Sequence, residues 1–326
     1  MSILWCGGED IDFNGVIPPV IATAGRFRAG YARHALNMQN CTLNCYSNAF
    51  PGGAVTSCWL HLRGYFGNQN DGADRIIGVT SAGTLKGIYV YQSAVTGNMG
   101  KLCVGKYDAS SMTNLASEIA YSIGGFQIFQ IDLQIINYGG SGTVNLYLNG
   151  SLVATYTGDI SIAGITELNT VTLGMVGNQM ENISEIIVAD EDTRSFSLVT
   201  HYPNGAGSLL EWTGDYTTID EATINDADLA YVDVADKDAQ YAMSNCPAGT
   251  FQVKAVKIAA RATKSVDASI GTLKLGLLSG GTVDVDAGQA LTTGWATYER
   301  LAATINGAAM TTALLDAMEL NLRSET

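Results

Sequence analysis

The sequence predicts an all-β protein of two antiparallel β-sandwich, jelly-roll-like modules with an irregular N-terminal segment. Three observations carry that expectation. Glycine fills 37 of 326 positions and charged residues only 15%, a mixture that suits strands joined by tight turns better than helices. Several stretches alternate apolar and polar residues, the period of a half-buried strand. Turn residues punctuate these stretches at roughly ten-residue intervals, the spacing of a sandwich. The length exceeds the roughly 100–200 residues of one domain, so two modules are expected, each able to bury its own core.

Residues 1–57 are rich in Gly and Ala, hold Pro18-Pro19 and show no clear period. They read as an irregular segment with short strands, whose Trp5 and Phe13 need a neighbour for burial and which is therefore expected to dock the protein onto a partner. From Cys58 the pattern turns to strands, and residues 58–205 form the first predicted sandwich. Its clearest strand has Phe129, Ile131, Leu133 and Ile135 alternating with Gln130, Asp132 and Gln134. After Gly139-Gly-Ser-Gly142, Val144, Leu146 and Leu148 alternate in turn, and Asn149-Gly150 leads into Leu152, Ala154 and Tyr156. Asn-Gly between two alternating runs signals a hairpin, because a type I′ turn requires positive φ at both central positions. A further strand is expected at Ile183 to Val188.

Residues 206–240 change character: nine acids and one Lys lie between Glu211 and Asp238, and the stretch reads as an acidic connecting segment. Residues 241–326 form the second predicted sandwich, with alternation at Val256 to Ala262, Leu273 to Leu277 and Met318 to Leu322, and turns at Gly280-Gly281 and Gly294. Ala308 to Ala317, one helical turn or two, is the only good helix candidate.

The formal charge of −14 is spread over both halves: 9 Lys and Arg oppose 15 Asp and Glu in residues 1–201, and 8 oppose 16 in residues 202–326. Neither half offers the basic surface that nucleic acid or anionic lipid requires. The first ten residues lack a basic region followed by an apolar run, so no secretory signal is expected, and no 18-residue apolar stretch predicts a membrane span.

Little in the sequence points to catalysis or a cofactor. His34, His61 and His201 sit in no nucleophile or zinc-protease motif. Cys41-x3-Cys45-x12-Cys58-x2-His61 has the ligand types of a Cys3His zinc site, but on one strand Cys58 and His61 face opposite ways. Buried thiols are therefore expected there. The six cysteines, Cys6, Cys41, Cys45, Cys58, Cys103 and Cys246, are sparse for this length and are expected free, with later disulfides left open for the first cluster of three. The acidic runs Asp190-Glu-Asp192 and Asp226-x-Asp228 lack the spacing of a calcium loop and read as solvated surface. Trp59, Tyr89, Tyr91, Trp212 and Trp295 have the shape to stack on sugar rings, but aromatics within strands predict core. No catalytic, metal or cofactor-binding residue is assigned, and the protein is expected not to be an enzyme.

The run Phe129-Gln-Ile-Asp-Leu-Gln-Ile to Val144-Asn-Leu-Tyr-Leu-Asn-Gly-Ser-Leu-Val-Ala-Thr-Tyr-Thr-Gly-Asp159 resembles concanavalin-A-like and laminin-G-like jelly rolls. The segments Ile183 to Arg194, Tyr202 to Gly207, Glu211 to Asp215, Thr250 to Ala262 and Trp295 to Tyr298 are similar to uncharacterised structural proteins of tailed bacteriophages. That resemblance implies a virion component: head decoration, collar, baseplate or tail fibre. It implies partners among other virion proteins and among copies of the chain itself, with a trimer as the first expectation. The alternative is a lectin-like module that recognises host surface glycan.

Overall fold

The computed structural model describes residues 3–7, 12, 20–21, 27–37, 47–51, 53–66, 74–92, 101–116, 119–120, 128–173, 180–249, 251–266 and 269–326. The chain divides into two compact units, Met1–Glu9 with Val16–Leu198, and Asp10–Gly15 with Val199–Thr326. Both are built from antiparallel sheets, as the alternation predicted, and every paired strand runs antiparallel to its neighbours.

The first unit contains β1 (Ile3–Gly7), β2 (Val20–Ile21), β3 (Ala35–Asn37), β4 (Ser47–Ala49) and β5 (Cys58–Phe66). These are followed by β6 (Asp74–Thr80), β7 (Gly87–Gln92), β8 (Lys101–Tyr107), β9 (Met112–Asn114) and β10 (Ile119–Ala120). Then come β11 (Ile128–Ile136), β12 (Gly142–Leu148), β13 (Ser151–Gly158), β14 (Thr170–Leu173) and β15 (Met180–Ala189). An eight-stranded sheet runs β13-β12-β11-β5-β15-β3-β2, with β1 also on β15; a seven-stranded sheet runs β10-β8-β7-β6-β14-β4, with β9 on β8.

The β11–β12–β13 meander forms where its sequence pattern placed it. Asn149 and Gly150 take φ of 49° and 80° at the tight turn, as a type I′ hairpin demands. Along the central strands of the larger sheet, Leu60 and Leu62, Ile131, Leu133 and Ile135, and Val144 and Leu146 occupy one face and are buried. At roughly 25 cal/mol per Å2 of apolar area removed from water, each such side chain contributes about 1.5–3 kcal/mol.

The short strands β1 to β4 fit the expected N-terminal segment, but Trp5 does not depend on an outside partner for its burial. β1 pairs with β15, and Leu4, Trp5 and Cys6 are buried, Trp5 at 1% exposure. Trp5 finds its cover inside the unit, from a strand far away in sequence, which local periodicity does not disclose. Phe13, Pro18 and Pro19 lie outside the described residues.

The second unit contains β16 (Pro203–Leu210), β17 (Asp238–Met243), β18 (Val256–Ala262), β19 (Thr272–Ser279) and β20 (Thr282–Val285). It continues with β21 (Gln289–Ala290), β22 (Ala296–Ala302), β23 (Thr304–Ile305), β24 (Ala308–Ala309), helix α1 (Thr312–Asp316) and β25 (Glu319–Glu325). A six-stranded sheet, β16-β17-β25-β19-β20 with β21 on β19, shares one core with the β18–β22 pair. Ala239, Tyr241, Leu273, Leu275, Leu277 and Leu322 enter that core from the sheet, and Ile258, Tyr298 and Ala302 from the pair. The helix candidate forms as the five residues of α1, little more than one turn, while Ala308 and Ala309 ahead of it pair as β24. Among the described residues no helix is long and apolar enough to cross a membrane.

The stretch 206–240 also departs from the expected connector. Its first residues belong to β16 and its last three to β17, and the chain between them is stitched to the unit: Trp212 Nε1 donates to the Lys237 carbonyl at 3.1 Å, and Thr213 and Tyr231 bridge. Its acids serve as acceptors. Asp215 caps a helical turn at Tyr216–Thr218 through the Thr217 N–H, and Asp226 takes two bonds from Arg261 at 2.7 and 2.8 Å.

Candidate functional site

The face of the eight-stranded sheet opposite Leu60 and Ile131 is polar. Side chains alternate across a strand, so the observed register puts Trp59, His61 and Arg63 of β5 on this face with Gln130, Asp132 and Gln134 of β11. Thr143, Asn145 and Tyr147 of β12 continue it, and Thr155 and Thr157 of β13 complete it.

Its centre is buried. The Asp132 carboxylate accepts from His61 Nδ1 at 2.7 Å, Thr193 Oγ1 at 2.9 Å and Gln130 Nε2 at 2.8 Å. His61, Asp132 and Thr193 are all fully buried. Gln130 Nε2 also donates to the Arg194 carbonyl at 2.7 Å, which ties the segment after β15 down over the sheet. A carboxylate offers only acceptors, so Nδ1 carries the ring proton in this bond. His61 Nε2 has no hydrogen-bond partner among the described residues.

Beside this network β15 carries a bulge, in which Glu185 and Ile186 together oppose Leu62 between the Ser184–Arg63 and Ile187–His61 pairs. Glu185 takes φ of 53° there, a conformation that costs a non-glycine residue roughly 1–3 kcal/mol and persists where surrounding contacts hold it. Those contacts are ionic. Arg28 donates to both Glu185 oxygens, one bond at 3.1 Å, and Arg63 Nε lies 3.7 Å from Oε1. Arg28 also stacks 3.4 Å above the Tyr31 ring. Burial lowers the Arg63 pKa from its ordinary value, with Glu185 working in the opposite direction.

Toward β13 the same face opens to solvent. Thr155 Oγ1 donates to Asn145 Oδ1 at 2.6 Å, Asn145 Nδ2 donates to Gln134 Oε1 at 2.9 Å, and the Thr143 and Thr157 hydroxyls lie 3.0 Å apart. Trp59 and Tyr147 stack beside this row with centroids 5.3 Å apart. Arg194 lies over both rings, at 4.6 Å from Tyr147 and 5.5 Å from Trp59, and Asp192 grips its guanidinium. The bond from Arg194 holds the Asp192 carboxyl below the usual carboxylate range. An amide has two donor hydrogens and two acceptor lone pairs, so the row keeps hydrogen-bonding capacity beyond the bonds it makes internally.

The residues weighed from sequence are scattered. Cys41 and Cys45 lie outside the described residues. Cys58 and His61 stand on opposite faces of β5 in unbroken register with β11, and burial pushes the Cys58 thiol up to about 12. Among the described residues no three His, Cys, Asp or Glu side chains gather as metal ligands. Tyr89 and Tyr91 are buried and Trp212 is partly so; Trp295, at 36% exposure, lies under Arg261. In the second unit His201 Nδ1 donates to the Ser244 carbonyl at 2.6 Å, and Nε2 lies 3.7 Å from Cys246 Sγ. Burial, helped by Asp316, pushes that thiol up to about 11.

Asp132, Asn145, Thr155 and Arg194 were not singled out from sequence. The period-two pattern places the first three on one face, but Arg194 and Thr193 reach that face only through the path of the chain after β15.

No protein family and no curated protein matches the sequence. Among solved structures, the globular domain of T. cruzi calreticulin is similar at 12% identity and TM-score 0.38, over 59% of this chain and 89% of that one. Endo-beta-1,4-glucuronan lyase from the fungus Trichoderma reesei is similar at 10% identity and TM-score 0.40, over 58% of this chain and 96% of that one. The CBM40 of Ruminococcus gnavus IT-sialidase, bound to alpha2,6 sialyllactose, is similar at 15% identity and TM-score 0.31, over 42% and 78%. Likeness at this level carries no functional argument.

Proposed function

We propose that the chain is a non-catalytic attachment component of a phage particle and that the open part of the polar sheet face contacts a surface glycan. The observation that carries this reading is the Gln134–Asn145–Thr155 row beside the Trp59–Tyr147 stack. Sugars present neutral hydroxyls and apolar ring faces. A strip of amides and hydroxyls matches the sugar hydroxyls, and its side chains are already aligned by their own bonds, which reduces the ordering cost of binding. Trp59 is buried under Tyr147 and Arg194 and backs the strip rather than meeting the ligand. The acidic chain favours uncharged over anionic partners.

A binding role is favoured over catalysis by the burial of the His–carboxylate pair. His61 and Asp132 lie beneath the 193–194 segment, and a group that exchanges protons with a polymer must come within about 3 Å of it. The virion assignment rests on the phage resemblance, which spans most of residues 125–326.

The test is a glycan array probed with the full chain, followed by titration of any hit with the Asn145→Ala/Thr155→Ala double variant. Binding of a neutral glycan, weakened at least tenfold by the double variant at unchanged unfolding midpoint, is expected. An array without hits, or binding indifferent to the double variant, refutes the glycan site. Mass spectrometry of purified particles tests the virion assignment, which fails if the chain is absent from them.

A further inference from the structure

We infer that the outer edge of β13 pairs with β13 of a second copy, joining two eight-stranded sheets across a twofold axis. β13, Ser151–Gly158, closes the sheet on one side and pairs only with β12 among the described residues. Roughly half of a strand's backbone N–H and C=O groups point away from its single neighbour, so this edge is a template for another strand.

Folded proteins guard such edges with charge, proline, bulges or brevity, and the other edges here carry one or another of these devices; β1, uncharged and five residues long, is irregular between Ile3 and Trp5 and buried along Leu4–Gly7. β2, β10 and β21 are two residues long, and β4 and β9 three. β16 opens with Pro203 and shifts register twice. β20 carries Asp284, and the β18–β22 pair carries Lys257, Arg261, Glu299 and Arg300. β13 has eight residues and neither a charge nor a proline. Its one irregularity lies near the start, between the Leu146 and Tyr147 pairings, and leaves Ala154 to Gly158 in unbroken register. Ser151, Thr155 and Thr157 are exposed, and Leu152 is 55% exposed.

Self-pairing is favoured over another partner for two reasons. An antiparallel strand pair is self-complementary about a dyad, as a closed dimer requires. Two copies that each carry −14 also repel, and an uncharged strip lets them meet without placing like charges opposite each other. Directly opposed residues of an antiparallel pair share a face, so the Thr155 and Thr157 side chains of both copies fall on the polar face. If that face is the glycan site, pairing makes it bivalent; this consequence alone rests on the proposed function.

Sedimentation velocity of the full chain from about 1 to 200 μM, without glycan, tests the pairing independently of any ligand. A dimer is expected for the wild type. Thr155→Lys and Thr155→Glu, each placing like charges near the dyad, are expected to raise the dissociation midpoint at least tenfold. Mixing the two variants is expected to restore a heterodimer, which a folding defect would not do. A wild type that stays monomeric at 200 μM, a trimer, or a dimer untouched by both substitutions overturns the inference.

Discussion

Replacing Asp132 with alanine tests the organisation of the polar sheet face most directly. Asp132 is the shared acceptor of three side chains, at 2.7, 2.8 and 2.9 Å. Its removal leaves the His61 Nδ1–H and the Thr193 hydroxyl buried without that acceptor, at about 1–3 kcal/mol each. Gln130 retains the Arg194 carbonyl and loses less. The variant also escapes the desolvation of a buried carboxylate, a gain of several kcal/mol that partly offsets these losses. The two losses sum to about 2–6 kcal/mol and the relieved desolvation offsets part of them, so the net expectation is a destabilisation of the first unit by about 2–4 kcal/mol. Asp132→Asn keeps an oxygen for His61 and Thr193 but turns an amide N–H toward Gln130, and about 1–2 kcal/mol is expected. Hydrogen–deuterium exchange at increasing guanidinium, read on peptides from β5 and β11, resolves the first unit from the second. An alanine variant within 1 kcal/mol of wild type, or no worse than the asparagine variant, would refute the account of Asp132 as the organising acceptor.

Other buried groups yield separate expectations. Lys257 Nζ lies 2.5 Å from Asp12 and 2.9 Å from Glu299, and Lys257 and Asp12 are both under 10% exposed; Lys257→Met strands two carboxylates and is expected to cost the second unit about 3–5 kcal/mol in denaturant unfolding. The triple variant that adds Asp12→Asn and Glu299→Gln should recover most of that loss. Burial raises the Glu299 pKa above its ordinary 4.5, so the native state holds this proton more tightly than the unfolded chain. Its contribution is full below pH 4.5 and is lost as pH rises through the folded value. Glu299→Gln should therefore gain stability relative to wild type across that window, and a difference that shrinks as pH rises contradicts the assignment. Cys58, pushed up to about 12, holds only about one thiolate in ten thousand at pH 8; mass mapping after iodoacetamide should find it unmodified in the native protein and modified after unfolding.

Local pattern determined much of the fold. The strands at 128–136, 142–148 and 151–158 follow from period-two alternation and from Asn149-Gly150, because hairpin register is set by neighbours in sequence. The sheet strands around Val256, Leu273 and Leu320 were legible for the same reason. The capture of β1 by β15 was not, since it joins Trp5 to Val188 across most of the first unit. The candidate site divides along the same line. Alternation showed that Gln130, Asp132 and Gln134 share a face, and it implied that this face meets water. Only tertiary structure decided that Thr193 and Arg194 descend on Asp132 and bury it while Asn145 and Thr155 stay open. The His61–Asp132 bond spans 71 residues, and the Glu185 bulge depends on arginines from two other segments. A period states which side chains point the same way; whether they end in a core or a binding face depends on what the rest of the chain lays over them, and that cover is set by long-range pairing.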